Sequence, residues 1–234
     1  MRTDQISEYF SITEASARDN LRREGISEEK VYFVGNVMID SLLGHREWAS
    51  LRPVLKTLGL RPCQYALVTL HRPANVDDPG VLAKLIEALC TLSERLPVLF
   101  PVHPRTRQKL SASGLDAQIA RYGGFQLISP LDYLDFLECM DNARLVITDS
   151  GGIQEETTVL GVPCITARDN TERPVTVSQG TNVVVGRDPE RILQAAFAVL
   201  QGEGKEGRCP ELWDGRAAAR IVEILWEREG LGCA

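Results

Sequence analysis

One segment combines a strand end, two glycines and acidic residues in a pattern typical of anion-binding turns. The apolar run Leu145 to Thr148 predicts a buried strand, after which the chain turns through Ser150, Gly151 and Gly152 into a predicted helix. Free backbone N–H groups and the positive end of the helix dipole point out of such a turn, and glycines let an anion approach the backbone. The segment predicts a phosphate site, but it also fits a plain strand-to-helix turn with a serine N-cap.

An acidic residue follows this turn at a spacing that suits a nucleotide. Glu156 falls one helical turn beyond Gly152. A carboxylate there can accept hydrogen bonds from both hydroxyls of a ribose whose phosphate occupies the turn. The alternative is an exposed acid near the positive end of the helix dipole, where negative charge is favoured.

Two other predicted strand ends carry histidine. His71 and Arg72 follow one buried strand in TLHRPAN, and His103 follows another in PVHPR. A histidine in this position can donate to a diphosphate or transfer a proton near neutral pH. A single histidine also fits a purely structural role, so it is the expected meeting of several strand ends at one edge that favours function.

A fourth loop, Ala167 to Pro174, supplies arginines at the carboxyl end of a predicted strand. The planar fork of Arg173 suits a phosphate or carboxylate, with Arg168 nearby. The alternative is a structural ion pair between Arg173 and either Glu172 or Asp169.

An aromatic residue completes the candidate site. Phe136 lies in the predicted helix LDYLDFLECM and can flank a base, although aromatic residues in helices more often belong to the core.

Strand and helix patterns alternate along most of the chain. The predicted strands are 31–34, 66–70, 98–102, 126–128, 145–148, 163–166 and 182–185. Most are continuously apolar, as expected for strands buried on both faces. This order predicts an α/β fold with a Rossmann-like doubly wound parallel sheet over residues 30–205.

The clearest predicted helix follows Asp77 and Asp78, which can cap it, with Pro79 in its first turn. Its apolar positions fall on one face: Leu82, Leu85, Ile86 and Leu89.

The two ends of the chain follow a different pattern. Residues 5–24 predict an extended piece and a helix capped by Thr13, and 201–207 predict a linker. A terminal helix is predicted over 215–229, with an apolar stripe formed by Ala218, Ile221, Val222 and Leu225.

Composition excludes several classes of protein. The chain has 234 residues, 44% hydrophobic and 25% charged, with a net charge of −6, which is typical of a folded globular protein and gives no global field to attract nucleic acid or anionic lipid. Six cysteines lack CxxC or zinc-ligand spacing, which predicts reduced core residues and no metal site. Without a signal peptide or membrane-length apolar run, the sequence predicts a cytoplasmic protein.

Taken together, the motifs resemble a known family. They are TDSGGIQEE at 148–156, RDNTERP at 168–174, HRPANVD at 71–77, VGNVMID at 34–40 and LISPLDYLDF at 127–136. This combination is similar to non-hydrolysing UDP-N-acetylglucosamine 2-epimerases over nearly the whole chain. One departure is Pro73 with Ala74, where many bacterial members have Arg-Glu.

The resemblance implies an isomerase with a GT-B architecture and a role for each candidate residue. Such enzymes interconvert UDP-GlcNAc and UDP-ManNAc by eliminating and re-adding UDP, without a cofactor. By resemblance, His71 is the catalytic candidate, and Arg72 with His103 matches positions that touch a second, activating nucleotide sugar. The residues that match UDP-binding positions are Ser150, Gly151, Gly152, Glu156, Arg173 and Phe136.

The resemblance also implies that this chain is the C-terminal half of that architecture. Residues 1–29 match the end of an N-terminal domain and the crossover from it, 30–205 the UDP-binding domain, and 206–234 a linker and return helix. The family's acid and base carboxylates are then expected outside the chain, which is predicted to bind UDP-GlcNAc or UDP and to be inactive alone. Expected partners are a second copy or a separate N-terminal half. The alternatives are a binding module or pseudoenzyme and half of a GT-B glycosyltransferase.

Overall fold

The computed structural model describes residues 6–230, which form two compact units. One unit contains residues 6–44 and 210–230, and the other contains residues 45–209. In chain order the strands are β1 (Phe10–Ile12), β2 (Val31–Phe33), β3 (Ala66–Thr69), β4 (Val98–Pro101), β5 (Phe125–Ile128), β6 (Leu145–Thr148), β7 (Cys164–Thr166) and β8 (Asn182–Val184). The helices are α1 (Ser16–Arg23), α2 (Val37–Ser50), α3 (Val54–Thr57), α4 (Pro73–Val76), α5 (Pro79–Ser93), α6 (Pro104–Ala112), α7 (Leu115–Ile119), α8 (Tyr133–Asp141), α9 (Gly151–Leu160), α10 (Pro174–Ser178), α11 (Pro189–Leu200) and α12 (Ala217–Glu229).

The larger unit contains the predicted Rossmann-like sheet. Its six strands are all parallel and lie in the order β5-β4-β3-β6-β7-β8. Counted from β3, this is the order 3-2-1-4-5-6 of dinucleotide-binding folds, with the reversal of strand order between β3 and β6. The predicted α/β fold class is confirmed, and ligands of such sheets bind beyond the carboxyl ends at this reversal.

The sheet is buried on both faces, as its continuous apolar strands predict. Val68, Phe100 and Ile147 belong to one core cluster with residues of α5 and α11. Leu67 and Leu99, which alternate with them, are equally buried on the opposite face. Two covered faces leave the strand ends as the accessible edges of the sheet.

Helix α5 forms as its sequence predicts. The Asp78 carboxylate accepts hydrogen bonds from the backbone N–H groups of Gly80 and Val81, and Pro79 occupies the first turn. The predicted apolar face is buried in the core: Leu82, Leu85, Ile86 and Leu89.

The smaller unit contains a separate two-stranded sheet. Strands β1 and β2 are parallel, with Phe10 opposite Val31. Residues 30–44, which the sequence analysis assigned to the Rossmann-like domain, therefore lie with this unit, because β2 pairs with β1 and not with the larger sheet.

Two contacts join the ends of the sequence within the smaller unit. The Asp40 carboxylate accepts hydrogen bonds from the N–H groups of Ala217 and Ala218 and so caps α12. The buried Trp213 indole donates to the backbone oxygen of Thr13. The predicted Thr13 cap is wrong: α1 begins at Ser16 after Ala15, which makes no side-chain cap.

Other expectations concern cysteines, the terminal stripe and membranes. Cys90, Cys139 and Cys164 are buried as predicted, but Cys63 and Cys209 are exposed, and Cys233 lies outside the described residues. The terminal helix forms, yet Val222, Leu225 and Trp226 on it are exposed. Within residues 6–230, none of the helices combines the length and apolar character required for a bilayer.

Candidate functional site: a cleft at the reversal of strand order

Three strand ends converge on one cleft in the larger unit. The cleft has a volume of about 340 Å³ and lies where β3, β4 and β6 end. Its lining residues are Thr69, Leu70, His71, Pro101, His103, Pro130, Leu131, Phe136, Ser150 and Ile153. Four candidate residues from separate motifs, His71, His103, Phe136 and Ser150, therefore share a single cavity.

The turn between β6 and α9 is open to a ligand. Ser150 occupies the N-cap position, but its side chain makes no cap hydrogen bond, and its own N–H donates to the Thr148 hydroxyl over 3.0 Å. A methyl group added at Gly151 would meet no atom within 4 Å. The turn is thus not a self-capped serine turn, because the first N–H groups of the helix remain without a side-chain acceptor.

A buried carboxylate anchors the catalytic candidate. Asp149 has a fully buried side chain, and its Oδ1 lies 3.0 Å from Nδ1 of His71. The same carboxylate accepts hydrogen bonds from the backbone N–H groups of His71 and Arg72 and from the Asn75 amide. This network fixes the imidazole through Nδ1 and leaves Nε2 as the nitrogen available to a ligand.

The contact between His71 and Asp149 changes the pKa of both groups. The hydrogen bond from His71 to Asp149 raises the pKa of the imidazole despite partial burial. Burial alone would raise the pKa of the Asp149 carboxyl, but hydrogen bonds from His71, Arg72 and Asn75 outweigh it and hold that pKa below its usual value. Asp149 is therefore ionised near neutral pH and favours the imidazolium form of His71.

Glu156 lies beside the cleft on the same helix. It is 7% exposed and accepts a hydrogen bond from the Tyr133 hydroxyl over 3.4 Å. Burial raises the pKa of the Glu156 carboxyl to about 7. The exposed acid considered as an alternative is excluded by this burial.

Phe136 and His103 both line the cleft. Phe136 projects from α8, whose first turn is capped by Asp132 accepting from Asp135 N–H. His103 also has a structural role, because its Nδ1 accepts a hydrogen bond from Arg105 N–H at the start of α6. That bond leaves its Nε2 for any ligand.

Arg72 is placed in a second cavity. This cavity has a volume of about 210 Å³ and is lined with Arg168 and Arg187 among others. The Arg72 guanidinium donates to the backbone oxygen of Asp149 over 3.2 Å. Arg72 and His103, paired by the resemblance, thus line different cavities.

Arg173 forms an ion pair that the sequence did not predict. Its Nε lies 2.8 Å from Glu155 Oε1, and Glu155 is buried. Neither expected partner is used for Arg173: Glu172 pairs with Arg168, and Asp169 with Arg187. The predicted choice of partner is wrong because the acids nearest in sequence were considered, and the carboxylate in reach comes from α9.

Asp149 and Tyr133 are residues at the site that the sequence reasoning missed. The available signal for Asp149 was a carboxylate directly after a buried strand, next to the anion-binding turn.

Within residues 6–230, no group of three or more His, Cys, Asp or Glu side chains could hold a metal ion.

Comparison with known proteins identifies the family. A profile described as UDP-N-acetylglucosamine 2-epimerase matches residues 1–226. The UDP-N-acetylglucosamine 2-epimerase of Methanococcus maripaludis is 38% identical over 229 residues, which cover 96% of this chain and 62% of that protein. The UDP-2,3-diacetamido-2,3-dideoxy-D-glucuronate 2-epimerase of Pseudomonas aeruginosa is 36% identical, over 95% of this chain and 61% of its own length.

A solved structure agrees with the sequence matches. The Methanocaldococcus jannaschii UDP-GlcNAc 2-epimerase in complex with UDP-GlcNAc and UDP has a TM-score of 0.84 and 37% identity, and the match covers 96% of this chain and 62% of that one. The present chain thus spans a little over three fifths of the length of the relatives it matches. With its fold, its motifs and the profile match over residues 1–226 in agreement, the chain belongs to the UDP-N-acetylglucosamine 2-epimerase family.

Proposed function

We propose that this chain binds the UDP part of a nucleotide sugar at the β6–α9 turn, as the UDP-binding part of a UDP-GlcNAc 2-epimerase. The observation that carries the proposal is the uncapped start of α9, with open space at Gly151 and a buried carboxylate at Glu156. An anion at a helix start is stabilised by free N–H groups and by the helix dipole.

The spacing along α9 matches the parts of a nucleoside diphosphate. Glu156 lies five residues after Gly151, which is about 7.5 Å along the helix axis. A diphosphate at the turn therefore places its ribose hydroxyls near the Glu156 carboxylate. Phe136 then faces the side of the cleft where a base would stack.

The two relatives described above support UDP as the recognised part. Their names give different sugars, GlcNAc in one and a diacetamido glucuronate in the other, but both substrates carry UDP. A chain similar to both at nearly equal identity is expected to recognise what the substrates share. In this proposal the sugar is GlcNAc, as in most of the matched relatives.

His71 is the catalytic residue of the proposal. In the reaction a base takes the proton from C2, the bond between C1 and the UDP oxygen breaks with its electron pair leaving on UDP, and both steps reverse with the proton returned to the opposite face. An imidazolium held by Asp149 stabilises the negative charge that develops on the leaving diphosphate.

The described cleft supports binding more fully than the complete reaction. Inversion at C2 removes the proton from one face of the sugar and returns a proton to the other face. It therefore requires proton donors and acceptors on both sides of the ring. Among the described residues that line the cleft, His71 and His103 are the titratable groups, and none is a carboxylate. We therefore propose that the acid and base carboxylates come from another polypeptide segment or another chain.

The smaller unit supports this division of labour. Two strands of three residues form a marginal sheet, and parallel sheets are normally covered on both faces. Trp226 on α12 is 55% exposed, next to Val222 and Leu225. We propose that further polypeptide covers this face, either a separate N-terminal half or a second copy, and light scattering after size-exclusion chromatography distinguishes a dimer from a monomer.

A proton NMR time course in D2O tests the proposed function. The 234-residue chain is mixed with UDP-GlcNAc, and both ligand line broadening and deuterium incorporation at C2 are followed. We expect broadening without exchange, and less broadening in Gly151→Ala at the same ligand concentration. Exchange with appearance of UDP-ManNAc would contradict the proposed division of labour, and absence of broadening would contradict UDP binding.

A further inference from the structure

Tyr133 and Glu156 form a pair on neighbouring helices beside the cleft. On α8, Tyr133 lies one turn before Phe136, and on α9, Glu156 lies one turn after Ile153. Because residues three apart share a helix face, Tyr133 lies on the same face of α8 as Phe136, and Glu156 lies on the same face of α9 as Ile153. Phe136 and Ile153 line the cleft, and the Tyr133 hydroxyl reaches Glu156 Oε1 over 3.4 Å.

The tyrosine ring is itself held in place. The His45 ring, from the last part of α2, meets it edge to face, with ring centroids 5.7 Å apart and an interplanar angle of 87°. Such a contact restricts rotation of the phenol. The hydroxyl therefore points at Glu156 from a ring fixed on its other side.

The two adjacent glutamates of α9 have different partners. Glu155 is paired with the Arg173 guanidinium, whereas Glu156 has the neutral Tyr133 hydroxyl. A contact of 3.4 Å is longer than a typical O–H···O hydrogen bond of about 2.8 Å, so the carboxylate retains most of its capacity to accept. An acceptor that is buried, oriented and incompletely used is suited to ligand hydroxyls.

We propose that Tyr133 is a positioning residue that orients the Glu156 carboxylate toward the vicinal hydroxyls of a ribose, so that the chain selects ribonucleoside over 2′-deoxyribonucleoside diphosphates. This inference rests on the proposed UDP binding. To the ribose contact of Glu156 it adds Tyr133 as the residue that positions the carboxylate.

The pair also makes the selection depend on pH. The groups that face Glu156 are Tyr133 from α8 and Glu155 on its own helix, with Arg173 behind Glu155 and His45 behind Tyr133. Burial raises the pKa of Glu156, and the Tyr133 hydroxyl lowers it in part. Loss of that hydroxyl therefore raises the pH at which the carboxylate ionises and accepts both ribose hydroxyls.

Calorimetry with UDP and 2′-deoxy-UDP at about pH 6, 7 and 8.5 tests the inference. The ratio of the two dissociation constants is the quantity to follow, because titration of the diphosphate itself affects both ligands equally. In the unmodified chain we expect a ratio of roughly 10 at the highest pH, the effect of one hydrogen bond to a charged group, and a smaller ratio at the lowest pH.

Tyr133→Phe is the decisive variant. At neutral pH its ratio should fall roughly threefold or more, and at the highest pH, where the carboxylate ionises without help, it should recover only in part because the hydroxyl no longer orients the carboxylate. Tyr9→Phe is the matched control, because Tyr9 donates to Glu229 over 2.8 Å in the smaller unit, and it should leave the ratio unchanged.

The calorimetry distinguishes failure of the proposed UDP binding from failure of the inference about Tyr133. If the unmodified chain binds neither nucleotide, the proposed function is overturned together with the inference. If UDP binds and Glu156→Gln loses the selection but Tyr133→Phe keeps it at every pH, only the role of Tyr133 is overturned. If Glu156→Gln also keeps the selection, the ribose assignment of this pair is wrong.

Discussion

The two sides of helix α9 contrast in how completely their polar groups are paired. One side faces the sheet through Gln154, whose amide donates to Ser150 and accepts from Thr171 and Asn182 at distances of 2.6–3.1 Å. The other side carries Gly151 and Glu156, beside the cleft-lining residues Ser150 and Ile153. There the helix start lacks a side-chain cap, and the carboxylate has one long hydrogen bond.

The sheet side extends into a buried polar network. The Asn182 side-chain oxygen also accepts from the Thr166 hydroxyl over 2.6 Å, and its amide nitrogen donates to the Thr176 hydroxyl over 3.0 Å. All of these groups are buried and paired, so removing one leaves others without partners. The paired side of α9 therefore stabilises the fold, and its incompletely paired side is available to bind a ligand.

The largest expected effect is on the sheet side. Gln154→Leu removes the acceptor of the Thr171 hydroxyl and one of the two acceptors of the Asn182 amide, which should lower the free energy of unfolding by about 3 kcal/mol. Urea denaturation measures this, with the exposed Gln108→Leu as a control expected to change stability by less than about 0.5 kcal/mol. An equal, small effect in both variants would remove the contrast.

On the other side of α9, Glu156→Gln should raise the free energy of unfolding at high pH rather than lower it. The folded pKa is about 7, above the unfolded value, so the stabilisation from holding the proton is present below about pH 4.5 and is lost as pH rises through about 7. At about pH 8 the amide variant should therefore be more stable than the unmodified chain by about 2 kcal/mol, while its UDP affinity falls. Denaturation across this pH range provides the test, and a destabilised variant at high pH would contradict it.

Gly151 and Gly180 differ in the space available for a side chain. A Cβ at Gly151 meets open space, whereas one at Gly180 would lie 2.3 Å from the Thr158 hydroxyl oxygen. Gly151→Ala should keep the unfolding free energy within about 0.5 kcal/mol and weaken UDP binding by about 1.5 kcal/mol, because the methyl group occupies the space of the anion.

Gly180→Ala is the matched variant on the sheet side. It should instead lower stability by about 1 to 3 kcal/mol through overpacking. If Gly151→Ala bound UDP normally, the diphosphate could not lie at the start of α9.

The smallest effect concerns the pair at the end of β3. Asp149 raises the pKa of His71, so this contribution to stability is present below about pH 6.5 and is lost as pH rises through the folded pKa of the imidazole. In Asp149→Asn the His71 pKa should fall, as followed by the ring-proton shifts in NMR titration. An unchanged titration would show that Asp149 does not set the charge of His71.

Sequence reasoning succeeded where one local rule decides the structure. Asp78 and Pro79 cap α5 with local hydrogen bonds, and apolar runs such as Val98–Pro101 form strands because both faces of the sheet are covered. The convergence of His71, His103 and Ser150 followed from the rule that parallel strands end at one edge.

The rest depended on side-chain geometry between distant elements. Arg173 pairs with Glu155, which is not the acid closest to it in sequence. Trp213 donates to the backbone oxygen of Thr13, the residue that local patterns treated as a helix cap. The placement of β2 with β1 was equally invisible, because an apolar strand does not reveal its neighbour.

We propose that the start of α9 holds the diphosphate while the opposite side of the helix stays unchanged. Backbone amide shifts in two-dimensional NMR of the isotope-labelled chain, recorded with and without UDP, test it most directly. We predict large shifts for the N–H groups of Gly151 and Gly152 and little change for the Asn182 side-chain amide. Shifts that leave both glycines unmoved while UDP binds would contradict the account.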